Sequence, residues 1–242
     1  MRWLIARYQP VSLFSLKHGE ATSSGGKSLL VPTPFAVRTA LLDVAIRVWG
    51  LDRAQGAFEH IRALHLALCP PERVAVSSLF TKVLKPERNP ERGRAMQRTI
   101  AFREYVHLQG VLALALGGDP DHLEVVRPLL PHVTYFGKRG SFFQFLPPAG
   151  EVEAEEGQVP EGFVLLEGRP FWGTEGQAVR EFTLGIIQRL DDWGPGLTFE
   201  RVNVYSDEKI RLGRDRIRFD VVLPYRVVRA GRGFTVYEGL TA

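Results

Sequence analysis

The stretch V31-P-T-P-F-A-V-R-T-A-L-L-D-V-A-I-R-V-W-G50 decides how the rest of the chain is read. Thr33 can accept a backbone hydrogen bond as an N-cap, and Pro34 suits the first helical turn, where its missing N–H costs nothing. Gly50 marks the stop. Between them the residues are apolar on most of the helical surface, so this helix should be buried against a sheet rather than half-solvated. The stretch DRAQGAFEHIRALHLAL at 52–68 reads as a second helix capped by Asp52 and ended by CPPE at 69–72.

Strands flank these helices. Residues 2–14 are nearly all apolar, as a central strand is. The Gly/Ser-rich stretch SLKHGEATSSGGKS at 15–28 reads as a flexible loop carrying Lys17 and Lys27. RVAVSSLFTKVLK at 73–85 and RTIAFREYVHLQG at 98–110 read as two further strands joined by the polar tip KPERNPERGRAMQR at 85–98, and VLALALGG at 111–118 continues or neighbours the second. DPDHLEVVRPLLP at 119–131 is a short helix that Asp119 can cap, and HVTYFGKRGSFFQFLPP at 132–148 is a strand broken at Gly137 and Gly140. Strand, helices, strand, strand, helix, strand is the split βαβ pattern of a ferredoxin-like domain. The expected class is therefore α+β: a ferredoxin-like, RNA-recognition-type N-terminal domain (1–150) with a β-hairpin arm around 85–98, plus a β-rich C-terminal region (151–242).

In that second region, 151–161 carries five glutamates and no basic residue and reads as a solvated linker. FVLLEGRPF at 163–171, ERVNVY at 200–205, RIRFDVVLPYRVV at 216–228 and FTVYEGL at 234–240 read as strands, while 176–194 fits either a strand or a helix. Ile217, Phe219 and Val221 alternate with Arg216, Arg218 and Asp220, the period of a strand with one apolar face.

The bulk numbers bound the function. A chain of 242 residues with 45% hydrophobic residues affords a large core. No stretch approaches the ~20 uninterrupted apolar residues of a membrane helix, and the short apolar start is broken by Arg7, so the chain reads as cytoplasmic with no membrane partner. One cysteine, Cys69, excludes an intramolecular disulfide and reads as a buried thiol. The six histidines lack metal-ligand spacing, so no metal and no cofactor is expected. ATSSGGKS at 21–28 lacks the first glycine of a P-loop and lies too far from the next helix start to aim it at a phosphate.

The net charge of +4 matters less than its clustering. Lys85, Arg88, Arg92, Arg94 and Arg98 face only Glu87 and Glu91 on the tip, and several cations on one projecting arm suit a phosphate backbone. Lys209, Arg211, Arg214, Arg216 and Arg218 form a second cluster against Asp215. In GKRGSFFQF at 137–145, glycines flank Lys138 and Arg139, and aromatics follow. Glycine admits close backbone approach, and neighbouring basic and aromatic groups can pair with phosphates and stack on bases. Phe142 and Phe143 cannot both face the core of one regular strand. Tyr8, Lys17 and His18 are candidates for metal-free acid–base cleavage of RNA.

Three blocks, 25–47 (GGKSLLVPTPFAVRTALLDVAIR), 98–116 (RTIAFREYVHLQGVLALAL) and 134–146 (TYFGKRGSFFQFL), resemble in order those of CRISPR-associated RAMP proteins of the fifth Cas family. The resemblance covers much of 1–146 and does not extend to the C-terminal third. It implies an RNA-binding subunit of a type I interference (Cascade) complex that holds the 5′ handle of CRISPR RNA, with backbone and large subunits as neighbours and target DNA as an indirect partner. It also implies that the 85–98 hairpin is the family's thumb, and that GKRGS at 137–141 corresponds to its glycine-rich loop without the full glycine pattern. Lys27, Arg38, Lys85, Arg88, Arg92, Arg94, Arg98, Lys138 and Arg139 are the RNA-binding candidates. One branch of the family cuts precursor RNA with Tyr, Lys and His, so a metal-independent endoribonuclease is the alternative. A protein-docking subunit using the extra helix and the C-terminal strands is a third reading.

Overall fold

The computed structural model describes residues 1–19, 26–87, 95–155, 157–167 and 184–240. The elements are β1 (Arg2–Pro10), β2 (Leu16–Lys17), β3 (Ser28–Leu29), α1 (Pro34–Trp49), α2 (Leu51–Ala63), β4 (His65–Cys69), β5 (Arg73–Pro86), β6 (Met96–Gln109), β7 (Leu112–Gly118), α3 (Pro120–Val126), β8 (Phe143–Glu153), β9 (Val164–Leu165), β10 (Ile186–Trp193), α4 (Phe199–Val202), β11 (Arg216–Leu223), β12 (Tyr225–Gly231) and β13 (Phe234–Gly239). The central sheet runs β8-β1-β7-β4-β9, antiparallel throughout. Its first four strands with α1, α2 and α3 give the order of a ferredoxin-like domain. The fold is α+β, and most of its strands are antiparallel.

Helix α1 starts and stops as its sequence dictates. The Thr33 hydroxyl accepts from the Ala36 amide at 3.2 Å, and the Gly50 amide donates to the Ile46 carbonyl. Val37, Leu41, Leu42, Val44 and Ala45 are all buried, so the helix is wrapped on several sides.

Three expectations need correction. The apolar run Leu64–Leu68 is not the end of a helix. Helix α2 stops at Ala63, Leu64 is extended, and His65–Cys69 is β4. A short apolar run satisfies either period, and here pairing with β7 and β9 fixes the outcome. Secondly, the core strands after the helices are β4 and β7. The two strands expected there, β5 and β6, form an inserted hairpin paired from Arg73–Gln109 to Pro86–Met96, much longer than the tip alone. Thirdly, the 200–205 stretch contains part of the helical turn α4 rather than a strand.

Smaller differences follow. Gly50, not Asp52, occupies the cap position of α2, and Asp52 lies in its first turn. Asp119 precedes α3 without a side-chain cap bond. Cys69 is half-buried, and burial pushes its thiol up. Glu151–Glu153 finish β8 instead of starting a linker. In the ambiguous 176–194 stretch Ile186–Trp193 is a strand, while 176–183 lies outside the described residues, as does 168–171.

The C-terminal strands build onto the N-terminal ones. β13 pairs with β5, giving a second sheet, β12-β13-β5-β6, and β10 pairs with β11. Arg38 on α1 fastens this arrangement. It was an RNA-binding candidate, yet it is 5% exposed. Its guanidinium donates to Asp192 Oδ1 at 2.8 Å and Oδ2 at 3.2 Å, and to the carbonyls of Ile61, Arg62 and Leu64. A charge taken out of water must be paired, and each nitrogen of this fork has a partner. Arg38 therefore ties α1 to the end of α2 and to β10 and presents nothing to a phosphate. Burial pushes the Asp192 carboxyl up, against the pull of Arg38. Replacing Arg38 by Met leaves Asp192 without its cation and should cost about 3–5 kcal/mol in urea unfolding. A loss below about 1 kcal/mol would refute the clamp.

Candidate nucleic-acid interface

Segment 11–17 runs on from the end of β1 and is stitched to three other parts of the chain. The Val11 amide donates to the Phe142 carbonyl at 3.1 Å, and the Ser12 hydroxyl to the Gly140 carbonyl at 3.1 Å. Phe14 exchanges both backbone bonds with Val106 of β6. Leu16 and Lys17 pair with Leu29 and Ser28, closing a small hairpin. The second limb of that hairpin also holds β6, because the Glu104 amide donates to the Gly26 carbonyl and Glu104 Oε2 accepts from the Ser28 amide.

These ties bring several candidate cations onto neighbouring turns. Lys17 and Lys27 are exposed, and the His18 amide donates to the Lys27 carbonyl. Lys138 and Arg139 are exposed on a turn closed by the Ser141 amide and the Lys138 carbonyl. Gly137 (φ 70°) and Gly140 (φ 99°) are left-handed, which an L side chain adopts rarely. A Cβ on Gly137 would also stand 3.0 Å from Leu16 Cδ2, so the glycine lets this turn rest on the small hairpin. The adjacent phenylalanines divide as expected: Phe143 is buried at 2% exposure and packs on Phe14 and Phe136, while Phe142 is 47% exposed. Val11 and Leu13, also exposed, flank the same segment.

The arm adds a face that the sequence reading missed. Past the core, one side of β5–β6 carries Phe80, Lys82, Leu84, Arg98, Ile100 and Phe102, in register as Phe80–Phe102, Lys82–Ile100 and Leu84–Arg98. Phe80 is 77% exposed, and its ring meets that of Phe102 edge-on at 5.3 Å. Strand alternation puts Lys85 on the opposite side from Arg98. Lys82 was overlooked because it reads as one cation within an apolar strand; its exposure depends on the hairpin projecting beyond the core. Arg88, Arg92 and Arg94 lie outside the described residues.

The catalytic candidates do not meet. Tyr8 is wholly buried, its hydroxyl donates to the Leu130 carbonyl at 2.9 Å, and its ring packs edge-on against Phe136 and Phe145. Burial drives its phenol far above the ordinary range, so it is a core residue, not an acid–base partner of Lys17 and His18. His18 lines a narrow cleft with Gly19, Arg189, Asp191 and Arg218. Of the second basic cluster Arg216 is committed to structure, while the side chains of Lys209, Arg211 and Arg214 are exposed. Arg216 bonds the buried Asp191 and lies over Phe35 at 4.4 Å. Arg201 and the Arg211 amide bind the buried Asp215; burial alone would raise that carboxyl, but they hold it below the usual value. Among the described residues no group of three His, Cys, Asp or Glu could hold a metal ion, and no helix is long and apolar enough to cross a membrane.

The chain matches no family model. It is 29% identical over 120 residues to the CRISPR-associated protein Cas5 of Archaeoglobus fulgidus. The chain is similar to Cas5. The match takes in 49% of this chain and 53% of that Cas5, so the chain spans about half the length of the curated relative it matches. Among solved structures, a CRISPR protein from Archaeoglobus fulgidus aligns over 100% of this chain and 93% of its own, at 11% identity and a TM-score of 0.43. A chain of a CRISPR RNA-guided surveillance complex aligns over 98% and 90%, at 13% identity and a TM-score of 0.40.

The burial of Tyr8 yields a direct test. Tyr8→Phe should leave any RNA binding or cleavage unchanged while costing about 1 kcal/mol of stability through the unpaired Leu130 carbonyl. A variant that is equally stable but loses activity on RNA would return Tyr8 to the site.

Proposed function

We propose that this chain is a Cas5-type RNA-binding subunit of an RNA-guided CRISPR complex and that it holds the 5′ handle of CRISPR RNA. The observation that carries the reading is the convergence on segment 11–17. Lys17 and Lys27 on one hairpin, Lys138 and Arg139 on the glycine turn, and the root of the arm are all fixed to it by backbone bonds. Cations on short anchored turns are positioned for a phosphate backbone at little entropic cost, and phosphate contacts set the register of a bound strand. The arm supplies Lys82 and Arg98 on the side of the exposed Phe80, and Lys85 on the other side. Similarity to Cas5 supports the choice of CRISPR RNA over another polyanion. Binding without cleavage is favoured because Tyr8 is withdrawn into the core. The neighbouring subunits in this reading are the backbone and large subunits of a type I complex, with target DNA contacted only through the assembly.

The test is a binding titration of labelled CRISPR repeat RNA across a salt series. Lys138→Ala with Arg139→Ala should weaken binding about tenfold and make log K fall less steeply with log salt, because about two phosphate contacts are lost. Affinity that stays flat with salt, or a double variant indistinguishable from the parent, would refute the assignment.

A further inference from the structure

We infer that the outward face of the sheet β12-β13-β5-β6 is a stacking platform for unpaired nucleotides, separate from the basic turns. This rests on the reading of the chain as an RNA-binding subunit and adds a second contact surface to it.

Alternation along β5 and β6 divides the sheet into two faces. Val74, Val76, Val106 and Leu108 point inward and are buried. The register then places the outward residues in rows across the strands. One row is Gly231, Phe234, Ser77 and Tyr105; the next is Arg229, Val236, Ala75 and His107; the third is Arg226, Glu238, Arg73 and Gln109. Among the described residues no helix packs across this face. Phe234 and His107 are exposed, and Tyr105 is half-exposed.

The floor is flat in the middle and ringed at the sides. Ser77 and Ala75 are small, and they separate Phe234 from Tyr105 by two strand spacings, roughly 10 Å. The Phe234 ring lies down over Gly231, where a Cβ would come within 2.6 Å of it, and the Arg229 guanidinium stands 5.8 Å above that ring. The rim is cationic. Arg73, Arg226 and Arg229 face one carboxylate, Glu238, which is already shared by Arg73 and Arg226. The first row adjoins the pair Leu79–Arg103 at the root of the arm, on the side of the hairpin that carries Lys85 rather than the side that carries Phe80, Lys82 and Arg98.

Rings on an open sheet with guanidinium groups at the margin suit splayed bases and their phosphates, whereas the rings cannot reach the faces of bases stacked inside a duplex. The buried centre of a protein-docking patch is apolar and filled by large side chains that anchor in the partner. Here the centre is small side chains, and arginines stand among the rings.

The experiment uses the full chain and CRISPR repeat RNA carrying 4-thiouridine, with photocrosslinking and peptide mapping. Crosslinks to Tyr105 or Phe234 are expected. Tyr105→Leu and Phe234→Leu should each weaken single-strand binding about tenfold, Tyr105→Trp should retain it, and a duplex RNA of equal length should not compete. Crosslinks confined to the 85–98 arm and the 137–142 turn, with both leucine variants binding like the parent, would overturn the platform while leaving the RNA-binding reading intact. Leucine variants that bind RNA normally but no longer join a protein partner would also overturn it, assigning the face to protein docking. No RNA bound by the parent chain would overturn both.

Discussion

A guanidinium group buried in the core constrains the rest of the molecule. Arg38 lies where water is excluded, so its donors must all be used inside the protein. They are used on Asp192 and on three carbonyls at the α2–β4 junction. One side chain therefore sets where α1 lies, where α2 ends, and where β10 docks. Trp193, the next residue on β10, stacks on Phe58 of α2 and donates to Thr39 of α1, which repeats the same tie with apolar surface. The helical layer and the second group of strands are thereby locked to one another.

The second organising element is a piece of irregular backbone that packs into the same core as the helices. Residues 11–17 have few partners within their own segment, so their polar groups are satisfied by the glycine turn, the small hairpin and β6. Loops normally move more than the elements they connect. Here the cationic ones are held by hydrogen bonds to each other and to the base of the arm. A rigid scaffold carrying positive turns is what a binding site for an extended polyanion needs.

Much of the fold was legible in the sequence where local chemistry has one solution. Thr33, Pro34 and Gly50 delimited α1, and the alternation along RIRFDVVL at 216–223 gave β11. The ferredoxin-like pattern was read correctly, although two of its strands were assigned to the wrong segments. HLAL at 65–68 looked helical because a short apolar run is compatible with both periods, and only its neighbours β7 and β9 distinguish them. Arg38 looked like a surface cation because its partner Asp192 is 154 residues away. Tyr8 sat close to Lys17 and His18 in sequence, yet strand direction sends its side chain into the core. The turn that exposes Lys138 and Arg139 was legible because two glycines mark it. The sheet face carrying Phe234 and Tyr105 was not, since it exists only when β13 pairs with β5, a segment far away along the chain.

A subunit of the kind proposed would grip one end of a CRISPR RNA. Hydroxyl-radical footprinting of a full-length CRISPR RNA bound to the chain tests it most directly. Protection concentrated on the 5′ handle, and fading into the spacer, is the predicted result. Protection spread evenly along the RNA, or concentrated at the 3′ end, would contradict it.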